Sequence, residues 1–129
     1  MTKLARAFAH EEGFGRPGKI PTIRHNPGDL RHSPHSQHPG GPAHKDDIGT
    51  IDTDEHGWQD LHRQLGIFAV MGLTIRQAVN IYLGVPRDAT EAQLAAAPDR
   101  NNVLVYLAGV CHTMALSPET LVSNALMAV

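Results

Sequence analysis

The sequence predicts a mostly α fold, a helical bundle with one small irregular β region inserted after helix one. Three observations carry this expectation. Leu4, Ala7 and Phe8 recur at helical spacing and the stripe stops at a glycine, Gly13. The stretch from residue 14 to residue 49 holds six prolines and no periodic apolar pattern, so it builds neither a long helix nor a deep regular strand. The rest of the chain is punctuated by side chains that start helices.

Helix one is expected from Thr2 to Glu12, with Gly13 where helices commonly end in a left-handed turn. Within the proline-rich stretch, "IPTIRHNPGDLR" has short alternating runs around the turn-forming Asn26-Pro27-Gly28, and "IGTID" offers a second extended piece. Together they predict a small sheet, in which Gly28 supplies a backbone conformation closed to β-branched residues. Asp52 and Glu55 have capping-box spacing and open a helix with Trp58, Leu61, Leu65 and Phe68 on one face. Thr74 with Gln77 opens another, whose Ile75, Ala78, Val79 and Tyr82 share a side before Gly84 and Pro86 end it. Thr90 with Gln93 starts a brief Ala-rich segment. Asp99 is placed to cap a helix through Val103, Leu107, Val110 and Met114, and "SPET" at 117–120 reads as a last start signal.

A chain of 129 residues that is 41% hydrophobic is expected to form one domain over residues 1–129, around one core. Eleven Lys and Arg against 13 Asp and Glu give a formal charge of -2 with no basic stripe, which argues against a nucleic-acid binder. Cys111, in "VYLAGVCHTM", reads as a small buried hydrophobe. "MTKLARAFAH" is too short and too charged for a secretory signal, and no apolar run approaches the ~20 residues of a membrane span. The expectation is a soluble protein with no ordinary signal peptide.

Glu11 and Glu12 stand at the end of helix one, where the backbone dipole is negative. At about 100 degrees per residue they flank the Leu4/Phe8 stripe, and periodicity does not choose between them. An acid beside apolar neighbours, a second carboxylate and a helix C-terminus has its charged form disfavoured three times over. Such a carboxyl stays protonated near neutral pH and donates protons. The alternative is a pair of solvated acids at a frayed helix end.

"EGF" at 12–14, "RHNPGDL" at 24–30, "IGTIDTDEHGW" at 48–58, "LTIRQAVNIYL" at 73–83 and "NNVLVYLAGVCHTMALSPETL" at 101–121 give nearly the whole chain a pattern. In order and spacing it resembles phage and bacterial members of the lysozyme and lytic transglycosylase superfamily. The resemblance implies an α+β lysozyme-like fold and a general acid at the end of helix one, which is Glu12. It also implies a saccharide cleft walled by the β region. The cleft-side "NPG" stretch of that superfamily is similar to "HNPGDL" here, which carries Asn26, Gly28 and Asp29, and Asn101 and Tyr106 match an Asn and a Tyr of its penultimate helix. The Asp and Thr that follow the Glu in phage-type lysozymes are replaced at the corresponding offsets by Pro21 and Pro27.

Two mechanisms follow from that departure. Glu12 protonates the leaving oxygen while Asp29 or Asp52 activates a water, or Glu12 acts alone as acid and then base while a sugar hydroxyl closes on the anomeric carbon. The missing pair favours the second, the lytic transglycosylase route. The function implied is peptidoglycan cleavage at the MurNAc-GlcNAc linkage by a monomeric phage endolysin or virion-associated protein, without cofactor. The alternatives are a non-catalytic lysozyme-like structural or carbohydrate-binding protein, and a metal-binding module. "RHSPHSQHPGGPAHKDD" carries His32, His35, His38 and His44, but no helix, knuckle or paired cysteine fixes them as zinc ligands, so no metal is assigned. Below about pH 6.5, protonation of the nine histidines turns the chain net cationic and favours an anionic wall substrate. Trp58 and Tyr82 read as core residues.

Overall fold

The computed structural model describes residues 2–37, 48–97 and 101–128. Most of these are helical, and one small two-stranded antiparallel sheet follows the first helix, as the sequence predicts. Helix α1 spans Lys3–Glu12. The Thr2 hydroxyl accepts from the Ala5 amide to start it, and Gly13 ends it at φ 85. Its buried face, Leu4, Ala7 and Phe8, is the stripe read from the sequence.

The "IPTIR" run is not a strand. Pro21, locked near helical φ, sits in the first turn of the short helix α2 (Ile20–Ile23). The sheet instead pairs β1 (Ser36–Gln37) with β2 (Thr50–Ile51), Ser36 opposite Ile51 and Gln37 opposite Thr50. The "IGTID" piece therefore supplies one strand and the residues after the turn the other.

Helix α3 (Asp54–Val70) starts one residue later than the Asp52/Glu55 pattern predicts. Thr53 is the cap, accepting from the His56 amide, while the Asp52 carboxylate takes the Thr53 amide and the His56 ring. Reciprocal capping boxes do form at Thr74/Gln77 and Thr90/Gln93, opening α4 (Ile75–Tyr82) and α5 (Glu91–Ala95). Helix α6 covers Asn101–Met114; the expected Asp99 cap lies outside the described residues.

"SPET" makes a turn rather than a helix start. The Ser117 hydroxyl accepts from the Glu119 amide, and the chain after it runs extended beside Thr74, with Ile75 N donating to Thr120 O and Val122 N to Leu73 O. That pairing spends the backbone groups a helix would use, so α7 waits until Val122–Ala125. One core joins the helices: Leu4 and Phe8 meet Leu61, Leu65 and Phe68 of α3, Ile75 and Val79 of α4, Leu94 of α5, and Leu107 and Val110 of α6. Each such fully buried side chain contributes about 1.5–3 kcal/mol. Trp58 packs against this core edge-on to Phe14, and Cys111 is only half-buried against it. Among the described residues no helix is long and apolar enough to cross a membrane.

Candidate active site

The C-terminus of α1 ends on a cleft of about 520 Å³ whose lining includes Glu12, Asp29, Arg31, His32, Gln64, Phe68 and Tyr82. The two neighbouring acids go different ways. Glu11 turns against α6, where Gly109 leaves room for it: a Cβ at 109 would lie 1.2 Å from Glu11 Oε1. Glu12 turns into the cleft. Its carboxyl is pushed up from 4.5 to about 7, first by burial and then by the charge of Asp29, with Glu11 adding a little. A hydrogen bond from the Tyr106 hydroxyl pulls the other way. Glu12 therefore keeps its proton to a higher pH than an ordinary carboxyl, the condition a general acid requires.

Asp29 reaches the cleft from the loop between α2 and β1. Its backbone has φ 50, a conformation rare outside glycine and tolerated best by Asn and Asp. Asn26 holds this loop from within. It is completely buried, donating from Nδ2 to Leu30 O at 2.8 Å and Gly49 O at 2.9 Å, while its Oδ1 accepts from Leu30 N at 3.0 Å. Asn26 thus shapes the wall and does not face the cleft, contrary to a direct sugar-binding role. Gly28 is needed for space rather than for an unusual backbone angle. Its φ is not positive, but a Cβ there would stand 2.8 Å from Tyr82 Oη and 2.9 Å from Leu61 Cδ1.

Asp52 is not part of this site. It is exposed beside β2, where its carboxylate takes His56 Nδ1 at 2.7 Å, a bond that lowers its pKa. Tyr106 is 8% exposed and sits under Glu12 instead of lining the cleft; its hydroxyl also lies 3.3 Å from Phe8 O. Asn101 opens α6, and its side chain is outside the described residues.

Three contributors escape a reading of the sequence. Asp60 of α3, 2% exposed, accepts from Ser33 Oγ at 2.6 Å, His35 N at 2.9 Å and His35 Nδ1 at 2.6 Å. Burial opposes its charge, but these donors outweigh burial and hold its pKa below the usual value. They pin the segment that carries Arg31 and His32. Gly57, one turn earlier, lets the 25–27 backbone lie on α3: a Cβ there would meet His25 O at 2.1 Å. Gly57, Asp60 and Gln64 share the face that ends at Phe68, so an acid on an inward face was the available signal. The third is Tyr82, whose hydroxyl donates to Gly28 O.

Of the loop histidines, His32 lines the cleft and His35 pairs with Asp60, its ring stacked 4.1 Å from His56. His38 and His44 lie outside the described residues. Among the described residues no three His, Cys, Asp or Glu are grouped to hold a metal ion. The His35 and His56 rings lie 5° from parallel, and each has its Nδ1 committed to a carboxylate, Asp60 or Asp52. What the site offers is a carboxyl that keeps its proton toward neutral pH, a second carboxylate and an arginine on the rim of an open groove. No protein-family model, curated protein or solved structure matches the chain.

Proposed function

We propose that the chain is a peptidoglycan-degrading glycosidase that cleaves the MurNAc-GlcNAc linkage, with Glu12 as the general acid. The observation that carries this reading is the Glu12 carboxyl, at about 7, opening onto a groove large enough for sugar rings and shared with Asp29. The order of motifs along the chain, which resembles the lysozyme and lytic transglycosylase superfamily, supports it independently. Glu12 protonates the glycosidic oxygen as the bond breaks, and the Asp29 carboxylate offsets the positive charge that develops on the sugar ring.

Sharing of the cleft by Asp29 favours water as the attacking group, because a carboxylate is at hand to activate it; Asp52, exposed beside β2, is not available for this. This shifts preference from the transglycosylase route toward hydrolysis. Arg31 on the rim suits a substrate that carries carboxylates, as peptidoglycan stems do.

The test is mass analysis of products from purified wall glycan. Hydrolysis leaves ordinary reducing ends, and Asp29→Asn abolishes it. Products one water lighter, with 1,6-anhydro ends, would assign the transglycosylase route. No product from the parent protein, with wall fragments still bound, would leave a carbohydrate-binding protein.

A further inference from the structure

The Gly28–Asp29 peptide is held at both of its polar ends. Its carbonyl accepts from the Tyr82 hydroxyl, and its N–H donates to Asn26 O at 2.9 Å. The rotation immediately after this plane is the Asp29 φ of 50, the angle that decides where the Asp29 side chain points. A non-glycine residue at positive φ is strained and persists only where its surroundings over-determine it. Here they do. Tyr82 is itself fixed by edge contacts to Phe8 at 5.1 Å and Phe68 at 6.3 Å, and it lines the same cleft as Glu12 and Asp29.

We propose that Tyr82 is the positioning residue of the site: its hydroxyl locks the Gly28–Asp29 peptide so that Asp29 faces Glu12 across the cleft. Its place in a reaction rests on the glycosidase reading; its effect on Glu12 does not. The groups facing Glu12 are Asp29 from the loop, Glu11 from its own helix, Tyr106 from α6 and Tyr82 from α4, with Arg31 and His32 farther along the wall. Tyr82 and Tyr106 act on Glu12 with opposite sign. Tyr106 bonds the carboxylate and favours ionisation, whereas Tyr82 gives its hydrogen bond to the loop and holds a like charge close.

The experiment is NMR titration of the Glu12 carboxyl carbon in the parent, in Tyr82→Phe and in Tyr106→Phe. Phenylalanine keeps the ring contacts and removes only the hydroxyl. The Tyr82→Phe midpoint should fall from about 7 toward 4.5, by about 0.5 pH unit or more, a threefold change in the ionisation constant. The Tyr106→Phe midpoint should rise. A Tyr82→Phe midpoint equal to the parent's, or one moving in the same direction as Tyr106→Phe, overturns the proposal, because general loosening of the fold moves both downward.

Activity gives a second readout. In Tyr82→Phe kcat should drop with little change in KM, and the alkaline limb of the pH profile should move down with the Glu12 midpoint. If the midpoint moves as expected while the parent cleaves no wall glycan, the positioning role stands and the glycosidase reading falls. In the parent protein alone, a slowly exchanging Tyr82 hydroxyl proton with NOEs to Gly28 and Asp29 is required. A rapidly exchanging one at low temperature overturns the lock without any variant.

Discussion

Replacing Glu12 by Gln should make the folded protein more stable at alkaline pH while removing the proposed general acid. In the folded state the carboxyl titrates at about 7; in the unfolded chain it returns to the usual 4.5. Below 4.5 the group is neutral in both states and has no effect on folding. Between 4.5 and 7 the unfolded state releases its proton and the folded state does not, so the parent loses stability as pH rises, and above 7 the loss is complete. At 1.36 kcal/mol per pH unit the full gap is about 3 kcal/mol, and partial access of Glu12 to water reduces it to about 2 kcal/mol. Gln has the same shape and no charge, so it escapes this loss. For a chain of this size the difference is roughly 5–10 °C in Tm. Thermal unfolding of parent and Glu12→Gln, followed by circular dichroism from pH 4 to 8, should give equal Tm values at pH 4 and a widening gap toward pH 8. Titrating groups common to the two proteins cancel in the difference. Parallel curves, with no pH-dependent gap, would refute burial of Glu12. The same variant should lose at least ~100-fold in activity, the low end of general acid catalysis. Stability gained by removing the acid is the expected counterpart of a site that holds a carboxyl where it ionises poorly.

Glu11→Gln should retain most activity, since its carboxylate lies against Gly109; activity assays that rank the two variants in reverse would transfer the acid role to Glu11. Asp60→Asn should cost about 1–3 kcal/mol by denaturant titration. Because the folded pKa of Asp60 is lowered, its contribution is complete above the usual 3.8 and is lost as pH falls through its folded value, so the variant's deficit should shrink only in strong acid. Gly28→Ala should destabilise by about 1–3 kcal/mol through its clash with Tyr82 and Leu61 and should lower activity more than Trp58→Phe does. Equal activity of these two variants would remove the loop from the site.

Short-range chemistry made much of this molecule legible. The Leu4/Ala7/Phe8 stripe with Gly13, and the Thr-x-x-Gln pairs at 74 and 90, each specify their own helix end, and each formed as expected. Errors arose where a tertiary partner decided between local options. Asp52 was set to cap α3 but gained His56, leaving the cap to Thr53. "SPET" lost its helix start to backbone pairing with residues 73–75, and a run of alternating apolar residues became α2 once Pro21 was placed in a first turn. At the site, periodicity left Glu11 and Glu12 equivalent. Gly109, nearly a hundred residues away, separates them by giving Glu11 a place to lie. Asn26 illustrates the limit from the other side: its residue type marked the right loop, but its three hydrogen bonds all point inward.

The loop from residue 26 to residue 35 alternates fixed points with open ones. Asn26, Gly28, Ser33 and His35 are committed to the interior of the protein or to α3 and α4, whereas Arg31 and His32 are exposed on the cleft rim between them. Exchange of Arg31 therefore leaves intact the bonds of Asn26, Ser33 and His35 that set the path of the chain. Rim charge becomes a variable that selection can alter in single steps, from cationic to neutral or acidic, while the spacing of Glu12 and Asp29 is inherited unchanged. Such a loop lets one scaffold change the charge along its groove without relearning how to fold.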